Sequence, residues 1–414
     1  MKENLLKSLF HSSSLTLLGK FFTFPIGIYV ANIVGAEGYG YLGIAIVTAQ
    51  FLSFSNIGIL NGLNRELPIA KGRDTRESAN EIYNAVYTFL CTSSLIALIC
   101  IGLIYYFTGS ILNVTEYDIL LLISLIFLSG NIEGFLYNAL KGEDQIKIWS
   151  IFVSIRPLLD SISSLIFVVL FGFKGLIFSL IISKLFASFI LRNSYKGPRL
   201  RLIFNTKILD ILRTCSIFML INFLLTFFIK APIFLTTGFL SVKEIGIIAF
   251  GISNLNIGEK FTGGQIFALN QRNRFAKIVG RDGISPEHIK FQITSKNFVY
   301  HLFLNGLLGG ILGIIYFFII QLFLDEFSAL LSSLVCLSTF YFIWSITTFL
   351  HQILDLLKYL FTKMVLLSLG IVFMLISIYI LPDLKSVELI LNYYLISSVI
   401  TLLSTYIFFL YIQK

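Results

Sequence analysis

Lys20, Glu133, Arg156, Asp160, Lys184, Lys230, Glu259 and Lys260 stand inside long apolar runs, and Arg65 closes another beside Glu66. An ionisable group at membrane depth is costly, and it faces a bundle interior, a wet cavity or an opposite charge. Arg156 and Asp160 are one helical turn apart, so they share a face and can pair. The pair serves either as a structural tie or as part of a binding site. Lys20, Glu259 and Lys260 lie about halfway along their runs, where snorkelling to the interface is least effective, and are expected to line a cavity. Arg65, Lys184 and Lys230 lie nearer run ends, where interfacial anchoring competes with ligand binding, and Glu133, close to Lys141, is open in the same way. A wet, low-dielectric cavity with more Lys and Arg than acids attracts phosphate or carboxylate. Lys20, Arg65, Arg156, Lys184, Lys230 and Lys260 are therefore the candidate substrate-binding residues. Coupling to protons or sodium would need a carboxylate, and Glu133, Asp160 and Glu259 are the candidates.

Signatures of catalysis are missing. The sequence has no G-x-S-x-G, no H-E-x-x-H and no phosphate-cradling Walker loop, and His11, His288, His301 and His351 are scattered over different segments. Neither a metal nor a cofactor is expected, and any work must draw on an ion gradient, a substrate gradient or a partner. Gly38 to Gly43 fits G-x-G-x-x-G, but an apolar helix precedes it where the dinucleotide site needs a strand. Those glycines are expected to form a tight outer turn. Gly309 and Gly313 form G-x-x-x-G, expected to serve packing inside the molecule. Asn113-Val114-Thr115 matches a glycosylation acceptor only as a three-residue pattern.

The elements that position these groups follow from composition. Of 414 residues 57% are apolar and 13% charged, against roughly 45 to 50% and about 25% in soluble domains. At about 20 residues per membrane span, the apolar share fills about twelve spans and leaves no room for a large extramembrane domain. The net charge of +9 is expected to reflect Lys and Arg in cytoplasmic loops rather than nucleic-acid binding. Cys91, Cys100, Cys215 and Cys336 lie in apolar runs without paired spacing and are expected to be buried small hydrophobes. Lys2 and Lys7 precede the first apolar run with no cleavage site after it, so that run is expected to be retained.

Apolar runs bounded by charge or turn residues place six spans at about 9–33, 41–64, 83–107, 117–139, 149–171 and 175–192. Six more fall at about 211–235, 244–269, 298–322, 328–350, 361–381 and 388–411. The fold expected is all-α, a polytopic membrane protein of about twelve helices in two six-helix lobes around a central cavity. Residues 1–195 form the N-terminal lobe, 196–210 a basic cytoplasmic linker and 211–414 the C-terminal lobe. Alternate loops concentrate Lys and Arg, including Lys71, Arg73, Arg76, Arg199, Arg201, Arg272 and Arg274, which places both termini in the cytoplasm. A repeat with a period of about 206 to 208 residues aligns Gly40 with Gly246 and Gly72 with Gly280. With an even number of spans per half, the repeats share one orientation about an axis along the membrane normal.

Gly19-Lys20, the run Ile33 to Gly40, and Gly62 to Glu66 carry a family resemblance. The sequence resembles the polysaccharide-biosynthesis transporters, the O-antigen flippases of the multidrug/oligosaccharidyl-lipid/polysaccharide flippase superfamily. Its Ile33-Val34-Gly35-Ala36-Glu37-Gly38-Tyr39-Gly40 is similar to the family's L-G-x-E-x-(Y/F)-G segment, with Ile33-Val34 in place of the usual leucine. The architecture matches along the whole chain, whereas the motifs concentrate between residues 15 and 75. The resemblance implies a non-enzymatic flippase of a bacterial inner membrane, moving an undecaprenyl-pyrophosphate-linked oligosaccharide to the periplasmic leaflet by alternating access. It implies a cationic cavity to which Lys20, Arg156 and Lys260 would contribute. The expected partners are the lipid-linked oligosaccharide, membrane lipid, protons or sodium, and a polymerase and chain-length regulator of polysaccharide assembly. Two alternatives stay open: a cation-coupled multidrug or metabolite exporter of the same superfamily, and a membrane-embedded glycan polymerase or ligase, for which the outer loops look short.

Overall fold

The computed structural model describes residues 2–60, 63, 76–108, 114–142, 146–194, 200–203, 207–261, 296–356, 359–380 and 386–412, and contains no strand among them. A helical run Lys2–Ser53 is broken at Gly35 into α1 (2–34) and α2 (36–53). It is followed by α3, Arg76–Thr108, and α4, Val114–Gly142. The run Ile146–Ser194 is broken at Gly172 into α5 (146–171) and α6 (173–194). Then come α7, Lys207–Thr236, α8, Val242–Phe261, and α9, Lys296–Phe323. A 3-10 segment, Asp325–Ser333, leads into α10, Leu334–Leu356, before α11, Leu360–Ile380, and α12, Val387–Ile412. Eight helical stretches among the described residues are long and apolar enough to cross a membrane. Two of them, Thr23–Asn56 and Ile155–Asn193, have 34 and 39 residues, too long for one crossing of about 30 Å at 1.5 Å per residue. The breaks at Gly35 and Gly172 divide them, and the protein is an all-α polytopic membrane protein.

The chain forms two compact units: residues 1–34 with 44–223, and residues 35–43 with 224–414. In the first unit, Ile59 and Leu63, which follow α2, are buried in one core with Tyr83 and Val86 of α3 and Phe135 and Leu140 of α4. Large side chains on α5 and α6 such as Ile166, Leu170 and Phe178 are exposed, as befits surfaces whose solvent is lipid. In the second unit, Phe228 stacks on Trp344 with centroids 4.9 Å apart, and Phe340 stacks on Tyr394 at 4.0 Å. The Tyr394 hydroxyl donates to the Ile229 carbonyl at 3.2 Å, so this buried aromatic keeps its polar end satisfied.

Helix starts follow local chemistry. Ser241-Val242-Lys243-Glu244 is a capping box for α8: the Ser241 amide donates to Glu244 Oε2 at 2.9 Å and the Glu244 amide donates to Ser241 Oγ at 3.3 Å. The start of α2 takes its cap from far away in sequence, because the Ala36 amide donates to Glu326 Oε2 at 2.8 Å. Gly35 turns the chain there with φ +71, and a Cβ would meet the Glu326 carboxylate at 2.9 Å. Within the second unit, the first turns of α2 and α8 then cross at very close range. A Cβ on Gly40 would strike the Val242 carbonyl, and one on Gly246 would strike the Ala36 carbonyl. The shift that carries residue 40 onto 246 also carries 36 onto 242, so each contact is the image of the other. A local two-fold relation between the segments gives this reciprocity, and it is the internal repeat seen as packing.

Four sequence expectations meet the structure here. The turn between the first two spans falls at Gly35, and Gly38 to Gly43 are helical instead of forming the turn, because Glu326 caps the helix immediately after Gly35. Gly313 packs onto the Ser338 side chain of α10, which agrees with internal packing. Cys215 and Cys336 are buried, but Cys91 and Cys100 are exposed, since they lie on the outer side of α3, where apolar character reflects lipid contact. The second span is interrupted near residue 54. Phe54–Asn56 is a 3-10 turn, Ile57 is left-handed at φ 47 and Gly58 has φ +67. A Cβ on Gly58 would lie 2.9 Å from Met219 Cβ on α7, so close packing against α7 accompanies the break.

Candidate functional site

The interrupted stretch of α2 borders a cavity of about 520 Å³ inside the first unit, to which α4, α6 and α7 also contribute. Non-helical backbone at membrane depth is tolerated where it lines a cavity, and the polar side chains around this one are mostly neutral amides. Gln50, Asn56, Asn131, Asn138 and Asn222 line it together with the ammonium of Lys184. Ile46, Ile126, Phe127 and Leu180 supply apolar wall. Gln50 Oε1 is buried with no hydrogen-bond partner among the described residues.

Two of the amides, Asn56 and Asn131, are held by a short buried network. Asn56 Nδ2 donates to Asn131 Oδ1 at 2.8 Å, Ser93 Oγ donates to Asn56 Oδ1 at 2.9 Å, and Asn131 Nδ2 donates to Ser94 Oγ at 3.0 Å. Asn56 sits at the break in α2, Ser93 and Ser94 on α3 and Asn131 on α4, so the network ties three helices. A chain of satisfied polar groups in low dielectric fixes a single arrangement of its members.

Behind Lys184 lies an ionic cluster formed by α4, α5 and α6. Arg156 grips Glu133 with both ends of its fork, Nε to Oε1 at 2.9 Å and Nη2 to Oε2 at 3.2 Å. Its Nη1 lies 3.0 Å from Asp160 Oδ1 and donates to the Ser183 carbonyl at 2.7 Å. The guanidinium is thereby committed on all sides to α4, α5 and α6. Side-chain exposures are 14% for Arg156 and 18% for Glu133, whereas Asp160 keeps 38%. Lys184 donates to the Ile126 carbonyl at 3.3 Å and has the cavity on its open side. Two carboxylates and two cations thus meet in one protein interior, with Lys184 presented to the cavity and Arg156 turned to the helices.

Of the candidates from sequence, the structure brings together Glu133, Arg156, Asp160 and Lys184, and the Arg156–Asp160 ion pair is the one their spacing allows. Lys230 is half-buried on α7 in the second unit, whereas the cluster belongs to the first. Lys20, Glu259 and Lys260 stand on described helical backbone, but their side chains lie outside the described residues, and Arg65 lies outside them altogether. The amides Gln50, Asn56, Asn131, Asn138 and Asn222 escape a search for charge. Their signal is weaker: a neutral amide in an apolar span, and Ser55, Asn56 and Gly58, three turn-forming residue types around Ile57 where a helix should continue.

The sequence matches no protein-family profile and no curated protein. Its fold matches solved structures along nearly the whole chain. A multidrug resistance MATE family transporter of the MOP superfamily, in its inward-facing conformation, superposes with a TM-score of 0.71 at 12% identity, covering 96% of this chain and 97% of that one. A MOP superfamily transporter from Pyrococcus furiosus, described as having a binding pocket of reversed polarity, gives 0.64 at 14% identity over 98% and 94%. An outward-facing MATE family transporter gives 0.61 at 16% identity over 98% and 94%. The chain therefore has the fold of the MOP transporter superfamily.

Proposed function

We propose that this chain is a flippase that carries an undecaprenyl-pyrophosphate-linked oligosaccharide from the cytoplasmic to the outer leaflet of a bacterial inner membrane. The observation that carries the reading is the cavity lining, neutral amides with one ammonium. Sugar hydroxyls both donate and accept hydrogen bonds, and an amide offers both in one side chain. A pyrophosphate needs a cation, and Lys184 presents one. The unpartnered Gln50 Oε1 is a ready acceptor for a sugar hydroxyl. The resemblance of Ile33 to Gly40 to the flippase segment supports the same substrate class. Lys20, Arg65, Lys230 and Lys260 remain candidates for further anion contacts.

Transport proceeds by alternating access, for which inward- and outward-facing forms of this fold are a precedent. Glu133 and Asp160 are the carboxylates placed to take up a coupling proton or sodium ion, with Glu259 a further candidate. Asp160 is the more exposed of the first two and the more readily reached. Both termini lie in the cytoplasm, and a polymerase and chain-length regulator of polysaccharide assembly act on the product.

A second reading is a multidrug exporter of the same superfamily, favoured by the multidrug resistance description of one structural neighbour and by the apolar wall of Ile46, Phe127 and Leu180. One reconstitution separates them. The full chain in liposomes is given a fluorescently tagged prenyl-pyrophosphate oligosaccharide in one leaflet and, separately, ethidium under a proton or sodium gradient. Protein-dependent appearance of the tagged sugar in the opposite leaflet, lost in Lys184→Ala, is the expected result. Ethidium movement without sugar movement would replace the flippase with the exporter.

A further inference from the structure

A second cavity, of about 950 Å³, opens on the outer side of the first unit between α3, α4 and α6. Its walls are helical stripes. From α3 come positions between Tyr87 and Leu98 at helical spacing, from α4 positions between Leu128 and Leu136, and from α6 Ser188, Phe189 and Arg192. Leu95, Ile132 and Phe189 on these walls are 59%, 50% and 62% exposed. One end differs in character: Arg192 lies two residues from the end of α6 and is exposed. Beside it the chain segment 200–203 is pinned along α3, where the Arg201 amide donates to Asn84 Oδ1 and the Ile203 amide donates to Thr88 Oγ1, both at 2.8 Å. The spacings match: two residues of extended chain advance about 6.6 Å and four residues of helix about 6 Å. Leu200 of this segment closes the cavity's basic end.

We propose that this lateral cavity is a binding site for one anionic glycerophospholipid of the surrounding bilayer, its phosphate at Arg192 and an acyl chain along the groove. Two observations fix the occupant. Among the described lining residues Arg192 is the one carrying a formal charge, and a guanidinium suits a phosphate. The cavity's depth suits one leaflet. From Tyr87 to Leu98 is about 16 Å of helix, half of a hydrocarbon core of about 30 Å. An acyl chain anchored at the interface fills that depth, whereas a long polyprenyl chain would overrun it. The inner wall is thin, because Asn131 lines both this cavity and the inner one and its hydrogen bond to Ser94 closes the seam between them. The site is thus separate from the substrate cavity and does not depend on the function proposed above.

The test uses the full chain purified from nanodiscs of mixed phosphatidylglycerol and phosphatidylcholine. Native mass spectrometry after detergent washing should show one phosphatidylglycerol retained per chain. Arg192→Ala should lower that retention about tenfold, the scale of one charge-assisted contact, and Ile132→Trp should abolish it by filling the groove. On the unaltered chain, a phosphatidylglycerol with a photoreactive acyl chain should label peptides covering 87–98 and 128–136 above all others. Equal retention of both lipids, retention indifferent to Arg192→Ala, or labelling spread evenly over lipid-facing helices would overturn the proposal. Displacement of phosphatidylglycerol by a prenyl phosphate would overturn it too, by making the groove a place for the carrier lipid.

Discussion

Arg156 and Lys184 are both cations buried near the same two carboxylates, yet their surroundings assign them different work. Arg156 is gripped by Glu133, Asp160 and the Ser183 carbonyl, so removing it leaves two buried acids with Lys184 as their one nearby cation among the described residues. Arg156→Ala is expected to lower unfolding free energy by about 3–5 kcal/mol, the cost of breaking a buried pair. Replacing Glu133 and Arg156 together with leucine should recover much of that loss, since an apolar pair of similar volume is often neutral. Chemical unfolding of the purified variants in detergent measures both. Lys184 has one carbonyl contact and a cavity before it. Lys184→Ala is expected to cost about 1.5–3 kcal/mol in stability, on the scale of one charge-assisted hydrogen bond, while abolishing sugar-lipid movement in the reconstituted assay. A variant that unfolds as readily as Arg156→Ala would mean that Lys184 is a structural tie as well. The charge pattern made the Arg156–Asp160 pair legible from sequence because one helix holds both residues. Glu133 and Lys184 joined them only through the packing of α4, α5 and α6.

At the scale of elements, the tightest contact is the crossing of α2 and α8. Gly246→Ala places a Cβ against the backbone carbonyl of Ala36, which cannot rotate aside as a side chain would. A loss of about 3 kcal/mol or more is expected, at or beyond the top of the usual range for overpacking, because only backbone atoms can give way. Gly172→Ala offers the contrast, because φ is +60 there but nothing lies within 4 Å of the added atom. Its cost should be only the backbone strain, about 1–3 kcal/mol, because φ 60 with ψ −138 is a conformation nearly reserved for glycine. Thermal unfolding of the two variants should therefore rank Gly246→Ala as the more damaging, and the opposite ranking would show that the crossing relaxes easily. The repeat predicted an alignment of Gly40 with Gly246, and its physical cause is that both glycines serve one reciprocal contact. The break at Phe54 to Gly58 was not foreseen, since a run as apolar as 41–64 still reads as a continuous span despite Asn56 and Gly58. A polar side chain at that depth acquires meaning only when a cavity and partners such as Ser93 and Asn131 stand beside it.

For the whole molecule, the excess of Lys and Arg in alternate loops predicts cytoplasmic termini. A fluorescent protein fused after Lys414 should fluoresce, and an alkaline phosphatase fused at the same place should remain inactive. An active phosphatase would reverse the orientation and with it the direction of transport. The sequence by itself determined that the chain lives in a bilayer, that its helices number about twelve and that its halves repeat, because each of these is a sum or a period along the chain. Element lengths in a membrane are set by bilayer thickness, so they can be counted in one dimension. Which polar groups meet belongs to tertiary structure alone. Asn56 and Asn131, or Glu133 and Lys184, come from different helices, and their distances depend on how those helices pack. The cavity with Lys184 on its wall, the commitment of Arg156 to the protein interior and the lateral groove ending at Arg192 arise in this way, from contacts between side chains that the linear order leaves far apart.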